Sequence, residues 1–431
     1  MDTLVVFLLL ISLIVCGMWV QFAVASAGLA YIVFIKGFAG LKALGIVSWG
    51  AANSFTLAAI PLFIFMAEIL LGAGLSGRLY SGVAPFVRKL PGGLLHTNIV
   101  GSGIFAAISG GSSPTAAAMS TVALPELSGR GYDKRLVAGS LAAGGTLGIL
   151  IPPSITMIIY STFTETSVAQ LFSAGIVPGV LLALLYMAFI ALRVKLKPQL
   201  VPSETSVSTA SDLAKALLDI LPFGVLIFVV LGSIYGGVAT PTEAGAIGVL
   251  GASLIAMIYG KFSWALIDQA VSKTLVMTGN ILFVVFASMI FAYGTALSGA
   301  GEELVGFLQE ANVSRWTFLL VVMLMFGILG CFMEGLGMIA IIVPVLFPAL
   351  LALGIDPIWF GIFVVILIEL GQLTPPLGVI LFVVASSSKV VKVEDVVAGT
   401  IPFFSMILVF LILMIIFPEI ALFLPAITFG G

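Results

Sequence analysis

The sequence predicts an all-α polytopic membrane protein, built as an inverted repeat with two re-entrant hairpins and two broken membrane helices. Three observations carry that prediction. Of 431 residues, 61% are hydrophobic and only 8% charged, with a mean hydropathy of +1.29, whereas soluble domains carry about 25% charged residues. Two adjacent prolines sit inside the apolar run 134–163, in Leu147-Gly-Ile-Leu-Ile-Pro-Pro, and the pattern returns 223 positions later inside 357–386 as Leu370-Gly-Gln-Leu-Thr-Pro-Pro. Once spans are drawn, 14 of the 17 Lys and Arg residues fall on one side.

The apolar runs give the elements in order. They are 4–34 (one long tilted helix or two short ones), 50–73, a hairpin at 94–125, a broken span at 134–163, and 168–194. A polar cytoplasmic linker, 199–212, follows. Then come 214–234, 240–260, 272–297, a second hairpin at 316–350, a second broken span at 357–386, and 395–421. The segments 73–94 and 298–315 mix glycine, charge and aliphatics and read as interfacial helices. The first hairpin has Ser109-Gly-Gly-Ser-Ser-Pro at its middle. Arms of about 15 residues rise ~22 Å at 1.5 Å per residue, short of a ~30 Å hydrocarbon layer, so the pair reads as re-entrant. The second hairpin turns near Met333-Glu-Gly-Leu-Gly.

A shift of 223 positions aligns 125–153 with 348–376 without a gap. Nine of the 29 positions are identical, including Gly131/Gly354, Asp133/Asp356, Gly148/Gly371 and both proline pairs. This marks two repeats, 1–198 and 213–421. Five spans separate one repeat's start from its counterpart. That number is odd, so the second copy is upside down. The face collecting 14 basic residues is cytoplasmic by the positive-inside rule. The first hairpin then opens inward, the second outward, and the C-terminus is periplasmic.

Proline lacks an N–H and clashes with the preceding turn, so each Pro-Pro pair breaks its helix and frees carbonyls, those of Gly148 and Ile149 in one copy and of Gly371 and Gln372 in the other. Paired broken helices in two halves point to a transporter binding site at the midplane. Half-helix ends carry partial charges of both signs, so the four breaks offer sites for cations and for an anion. Carbonyl and hydroxyl oxygens suit a hard monovalent cation, Na⁺. One expected site uses Ser109, Gly110, Ser112, Gly148, Ile149 and Pro152. The other uses Gly335, Gly337, Gly371, Thr374 and Pro375. The anion is expected between them at Ser113, Pro114, Thr115 and Thr156. Glu334 and Glu369 are candidates either to orient backbone amides behind these ligands or to couple protons, since a titratable group at depth marks such a relay. The sequence has no P-loop, no Cys/His cluster and no nucleophile–base pair at depth, which argues against an ATPase, a metalloprotein and an enzyme. Scattered basic residues give nucleic-acid binding no support.

Several motifs resemble a known family. Phe105-Ala-Ala-Ile-Ser-Gly-Gly-Ser-Ser-Pro-Thr-Ala, Gly131-Tyr-Asp-Lys, Ala174-Gly-Ile-Val-Pro-Gly, Ala239-Thr-Pro-Thr-Glu-Ala-Gly-Ala and Gly354-Ile-Asp-Pro-Ile-Trp-Phe-Gly, with Leu147-Gly-Ile-Leu-Ile-Pro-Pro-Ser, are similar to the large membrane subunit of TRAP (tripartite ATP-independent periplasmic) transporters. The resemblance implies an ion-transporter-superfamily fold with a scaffold and an elevator-type transport domain in a bacterial inner membrane. Mapped on the repeat, hairpins and broken helices form the transport domain, and the remaining spans the scaffold. It implies a sodium gradient as driving force and no organic cofactor. It implies substrates such as C4-dicarboxylates, sialic acids or other sugar and keto acids, and two partners: a small four-helix membrane subunit and a periplasmic substrate-binding protein. Many relatives carry Asp where this chain has Glu334. A binding-protein-independent sodium–carboxylate symporter and an ion channel remain as alternatives.

Overall fold

The computed structural model describes residues 3–202, 209–331, 333–376 and 378–430; the middle of the expected linker, 203–208, and Phe332 and Leu377 lie outside them. The described residues form α-helices, short 3₁₀ turns and loops, with no strand among them. The first part of the chain gives α1 (Thr3–Val15), α2 (Val20–Lys36), α3 (Leu44–Ala52), α4 (Ala59–Gly72) and α5 (Ser76–Val87). The hairpin follows as α6 (Leu95–Ser109) and α7 (Ser112–Gly129), then the broken span as α8 (Lys134–Leu150) and α9 (Ile155–Thr164), then α10 (Val168–Leu196). The second part gives α11 (Ala210–Tyr235), α12 (Pro241–Ile258), α13 (Trp264–Ser298) and α14 (Ala300–Glu310). Its hairpin is α15 (Arg315–Gly330) and α16 (Gly335–Ala352), its broken span α17 (Pro357–Gln372) and α18 (Val379–Ser386), and α19 (Val393–Ile416) and α20 (Glu419–Phe429) close the chain.

Residues 4–34 therefore form two helices, with Gly17 at φ 86° between them. Seven described helices are long and apolar enough to cross a membrane, and two helix pairs bend sharply: α4/α5 by 79° and α8/α9 by 40°. One expectation needs correcting. The second hairpin arms, α7 and α16, have 18 residues each, so they rise ~27 Å, and α16 is long and apolar enough to span by itself. Arm length alone is therefore no argument for re-entrance.

Helix starts recur at the sequence offset. α7 begins at Ser112 and α16 at Gly335; α8 begins at Lys134 and α17 at Pro357. The caps match too. Asp133 accepts from Leu136 N at 2.8 Å, and Asp356 from Trp359 N at 2.9 Å, each satisfying a donor that a helix N-terminus leaves open. Both Pro–Pro bonds, 152–153 and 375–376, are cis.

Packing sorts the helices into two groups. α13 lies along α2 and α4, α12 along α4, and α11 along α5 and α12. In the other group α8 is wrapped by α6, α7, α10, α17, α18 and α19, and α17 by α8, α9, α10, α15, α16 and α19. This corrects the simple division of hairpins and broken helices against all other spans: α10 and α19 pack with the former. Glycine explains the closeness at one crossing. On α19, a Cβ at Gly399 would stand 2.8 Å from the carbonyl carbon of Arg135 and 3.1 Å from Gly139 N on α8. The two groups touch chiefly where α13 and α14 meet α16, and where α4 and α5 meet α6.

Candidate substrate and cation site

The first hairpin tip turns because α6 ends on Gly110 in the left-handed region (φ 60°) and α7 restarts after an extended Gly111. A glycine tolerates that conformation without the Cβ penalty. The tip is bonded directly to the first helix break. Ile155 N, at the start of α9, donates to Gly110 O at 3.1 Å. On the other side of the break, Gly148 lies so close to the tip that a Cβ there would stand 2.8 Å from Thr115 Oγ1. Inside the tip, the Ser109 and Thr115 hydroxyls are 2.6 Å apart, and Thr115 donates to Gly111 O at 2.8 Å.

At the second tip, the Gly335 position is filled from α17 by Ile368, and Gly330 stands against Gly371, where a Cβ on Gly371 would be 2.8 Å from Gly330 Cα. The two tips and two broken spans then border a common cavity of about 110 Å³. Its walls include Gly110–Pro114, Ile149, Thr156, Glu334, Gly335 and Gln372, and α13 contributes Met277 and Ile281. Two buried polar atoms near this cavity have no hydrogen-bond partner, Ser112 Oγ and Gln372 Oε1. No Lys or Arg lines it. Buried polar groups are ordinarily paired, so these two are the natural contacts for something the cavity receives.

The expected residues divide on this geometry. Gly110, Ser112, Ser113, Pro114, Ile149, Thr156, Glu334 and Gly335 reach the cavity. Ser109, Thr115 and Gly148 lie just behind, in the hydrogen-bonded tip and its glycine contact. Pro152 is buried, whereas Pro375 is exposed. Gly337 faces elsewhere, with its Cβ position 3.1 Å from Val20 on α2. The carbonyls are less free than helix breaking alone implies. Ile149 O accepts from Ser154 Oγ at 2.6 Å, and Gly371 O from Thr374 N at 3.0 Å. The Thr374 hydroxyl, two residues past the end of α17, donates to Leu370 O at 2.7 Å, four residues back.

Among the described residues neither the Glu334 nor the Glu369 side chain is seen bracing a backbone amide. Glu334 caps α16 with its backbone alone and lines three cavities. Glu369 is fully buried with both oxygens unpartnered, and it reaches none of these cavities. Two further acidic residues are taken up structurally: Glu68 lies 3.4 Å from Lys273 Nζ, and Glu243 closes a capping box with Thr240. His96 is buried at the hairpin base, its Nε2 2.8 Å from Pro91 O.

Sequence reasoning missed the side chains of Gln372, Met277 and Ile281. A polar residue inside the second break motif was the available signal for Gln372. For the α13 pair no local signal exists, because only tertiary packing brings that helix to the tips.

A family model, the DctM component of tripartite ATP-independent periplasmic transporters, matches residues 7–420. The C4-dicarboxylate TRAP transporter large permease protein DctM of Pseudomonas aeruginosa is 34% identical over 389 residues, 89% of this chain and 90% of that one. This chain belongs to the DctM family of TRAP transporter large permeases. It is a transporter permease subunit and a multi-pass membrane protein. The ectoine/5-hydroxyectoine TRAP permease of Ruegeria pomeroyi is 32% identical, with 87% of each chain covered. The sialic acid TRAP permease of Vibrio cholerae is 27% identical, with 97% of each covered. In fold, the YdaH transporter of Alcanivorax borkumensis superposes with a TM-score of 0.61 at 17% identity, covering 92% of this chain and 90% of that one.

Proposed function

We propose that this DctM-family permease imports an organic anion, of the C4-dicarboxylate or sugar- or keto-acid class, by sodium-coupled, elevator-type alternating access. The observation that carries the reading is the cavity bounded by both hairpin tips and both broken spans. The α7 N-terminus and the unpartnered Ser112 hydroxyl offer donors to a carboxylate. The tip carbonyls and the Ser109–Thr115 pair offer hard oxygens to Na⁺. Ser112, Ser113, Pro114 and Thr156 with Gln372 form the anion side. Gly110, Ser109, Thr115 and Gly148 form one cation side, and the pseudo-equivalent second tip and break, with Gly335 and Gly371, form the other. Recurring helix starts and matched caps support the two-repeat reading, and the 14-to-3 split of basic residues supports inverted repeats with a periplasmic C-terminus. The packing groups supply the moving parts: α6–α10 with α15–α20, sliding on α2, α4 and α11–α13.

The working assembly adds a small membrane subunit and a periplasmic substrate-binding protein. Reconstituted protein should accumulate the anion against its gradient only when Na⁺ and the purified binding protein are both present. Uptake without the binding protein would favour the independent symporter, and dissipation of an imposed anion gradient would favour a channel. The Pro152→Ala/Pro153→Ala pair restores N–H groups that can close onto Gly148 and Ile149 as a continuous helix. It should abolish Na⁺-dependent uptake while the protein still inserts; normal transport by that variant would refute the cation site.

A further inference from the structure

We infer that a phospholipid acyl chain occupies a groove between α1 and the second hairpin. The groove has a volume of about 490 Å³ and is bordered by α1, α15 and α16. Its α1 wall is Phe7, Leu10, Ile11 and Ile14, one face of a helix read at alternating steps of three and four or one. α15 and α16 present faces of the same kind, from Val321 to Leu329 and from Met338 to Leu346. Three apolar helix faces therefore converge without closing on one another. Leu10 and Ile342 are buried on its floor, whereas Ile11, Leu324 and Ile328 at its rim are 45%, 59% and 63% exposed. In a multi-pass membrane protein such rim residues face lipid, and the exposed Leu320 continues that surface along α15.

Chemistry and size choose the occupant. Every described side chain lining the groove is apolar, whereas a bound water needs several polar partners. A helix with its side chains is at least about 10 Å wide, so a length matching the ~12 Å from Val321 to Leu329 displaces roughly 900 Å³. That is nearly twice the 490 Å³ on offer. A hydrocarbon tail is thin enough, and the bilayer supplies it at the exposed rim. Left unfilled, the groove would cost its walls their dispersion contacts on one side. The neighbouring elements fix the direction of the tail. Trp19, just past the end of α1, meets Glu334 and Leu336 at the second tip, so α1 runs toward that tip as α15 does. Met333, beside the tip, lines the same end of the groove. The other end lies toward the start of α15, where Trp316 is exposed, as suits a tryptophan at the headgroup level. The tail thus enters from the leaflet at the open end of the second hairpin and points toward the tip. α1 packs on α2, and α15 on α17, so the groove lies where the two packing groups face each other, and the tail takes the place of protein contacts there.

The test reads bound lipid and not transport, so its outcome is independent of the function proposed above. The full chain is reconstituted in phosphatidylethanolamine–phosphatidylglycerol vesicles that include a phospholipid with a diazirine in its acyl chain. After exchange into detergent the sample is photolysed and the labelled peptides are mapped. Label should remain on α1, α15 and α16 after the exchange, when label on the lipid-facing Leu250 and Leu254 of α12 has been lost. Leu324→Trp fills the groove and should remove the retained label. Leu320→Trp, on the same exposed surface but outside the groove, should leave it. Both positions are more than half exposed, at 59% and 52%, so neither variant disturbs the core. Native mass spectrometry of the detergent-purified chains should show a retained phospholipid in wild type and Leu320→Trp that Leu324→Trp lacks. Groove label that washes out together with that of α12, or label and lipid that persist in Leu324→Trp, would overturn the assignment. So would label that disappears once the small membrane subunit is co-purified, because that subunit would then cover the groove.

Discussion

Replacing Gly148 by alanine tests the join between the first tip and the first break. A Cβ there would run into the Gly111 carbonyl oxygen, stand 2.6 Å from Gly111 C, and stand 2.8 Å from Thr115 Oγ1. Ordinary contact begins at 3.4 Å, so the difference from 2.6 Å at the carbonyl carbon obliges the tip to retreat by at least about 0.8 Å. Overpacking of this kind costs about 1–3 kcal/mol. Retreat also stretches the Thr115–Gly111 and Ser109–Thr115 hydrogen bonds, each worth about 1 kcal/mol. If about 2 kcal/mol of this falls on the cation-holding geometry, half-saturating sodium rises roughly thirtyfold. The assay is sodium-dependent uptake into proteoliposomes with the binding protein present. Gly129→Ala is the control, since no heavy atom lies within 4 Å of its Cβ position. A Gly148→Ala protein with unchanged sodium dependence and unchanged thermal stability would refute the tip–break reasoning.

Other expectations follow from the same geometry. Ser112→Ala removes the unpartnered buried hydroxyl; hydrogen bonds to charged groups are worth about 1.5–3 kcal/mol, so substrate KM should rise at least about tenfold while half-saturating sodium stays near wild type. Gly399→Ala should lower the melting temperature by wedging α19 off α8, an overpacking cost of about 1–3 kcal/mol readable by differential scanning fluorimetry. Asp395→Asn breaks the exposed pair with Arg135, 3.3 Å apart, yet should change stability by less than about 1 kcal/mol because solvent screens such pairs.

Much of the fold was legible because membrane helices advertise themselves. Glycine–serine tips and Pro-Pro breaks act through local backbone chemistry, so Gly110 and both break motifs could be read residue by residue, whereas Asp133 and Asp356 stood out only as matched positions of the repeat. The mixed segments 73–94 and 298–315 were readable as helical in the same way, and each contains a helix, α5 and α14. Arm lengths were not, because α7 runs on to Gly129, past Glu126 where hydrophobicity falls. Nor was the placing of α10 and α19, since an apolar span carries no mark of which neighbour it packs against.

The sequence by itself determined that this chain crosses a membrane many times, that two helices break at prolines, and that the breaks come in a pair 223 residues apart. Those properties follow from composition and from which residues lack an N–H or a Cβ. Only the tertiary structure decided that Met277, Ile281 and Gln372 complete the cavity, that the Ile149 and Gly371 carbonyls already accept hydrogen bonds, and that Glu334 meets the cavities while Glu369 is sealed. Two glutamates equally acidic in sequence differ because burial and partners are set by helices distant along the chain.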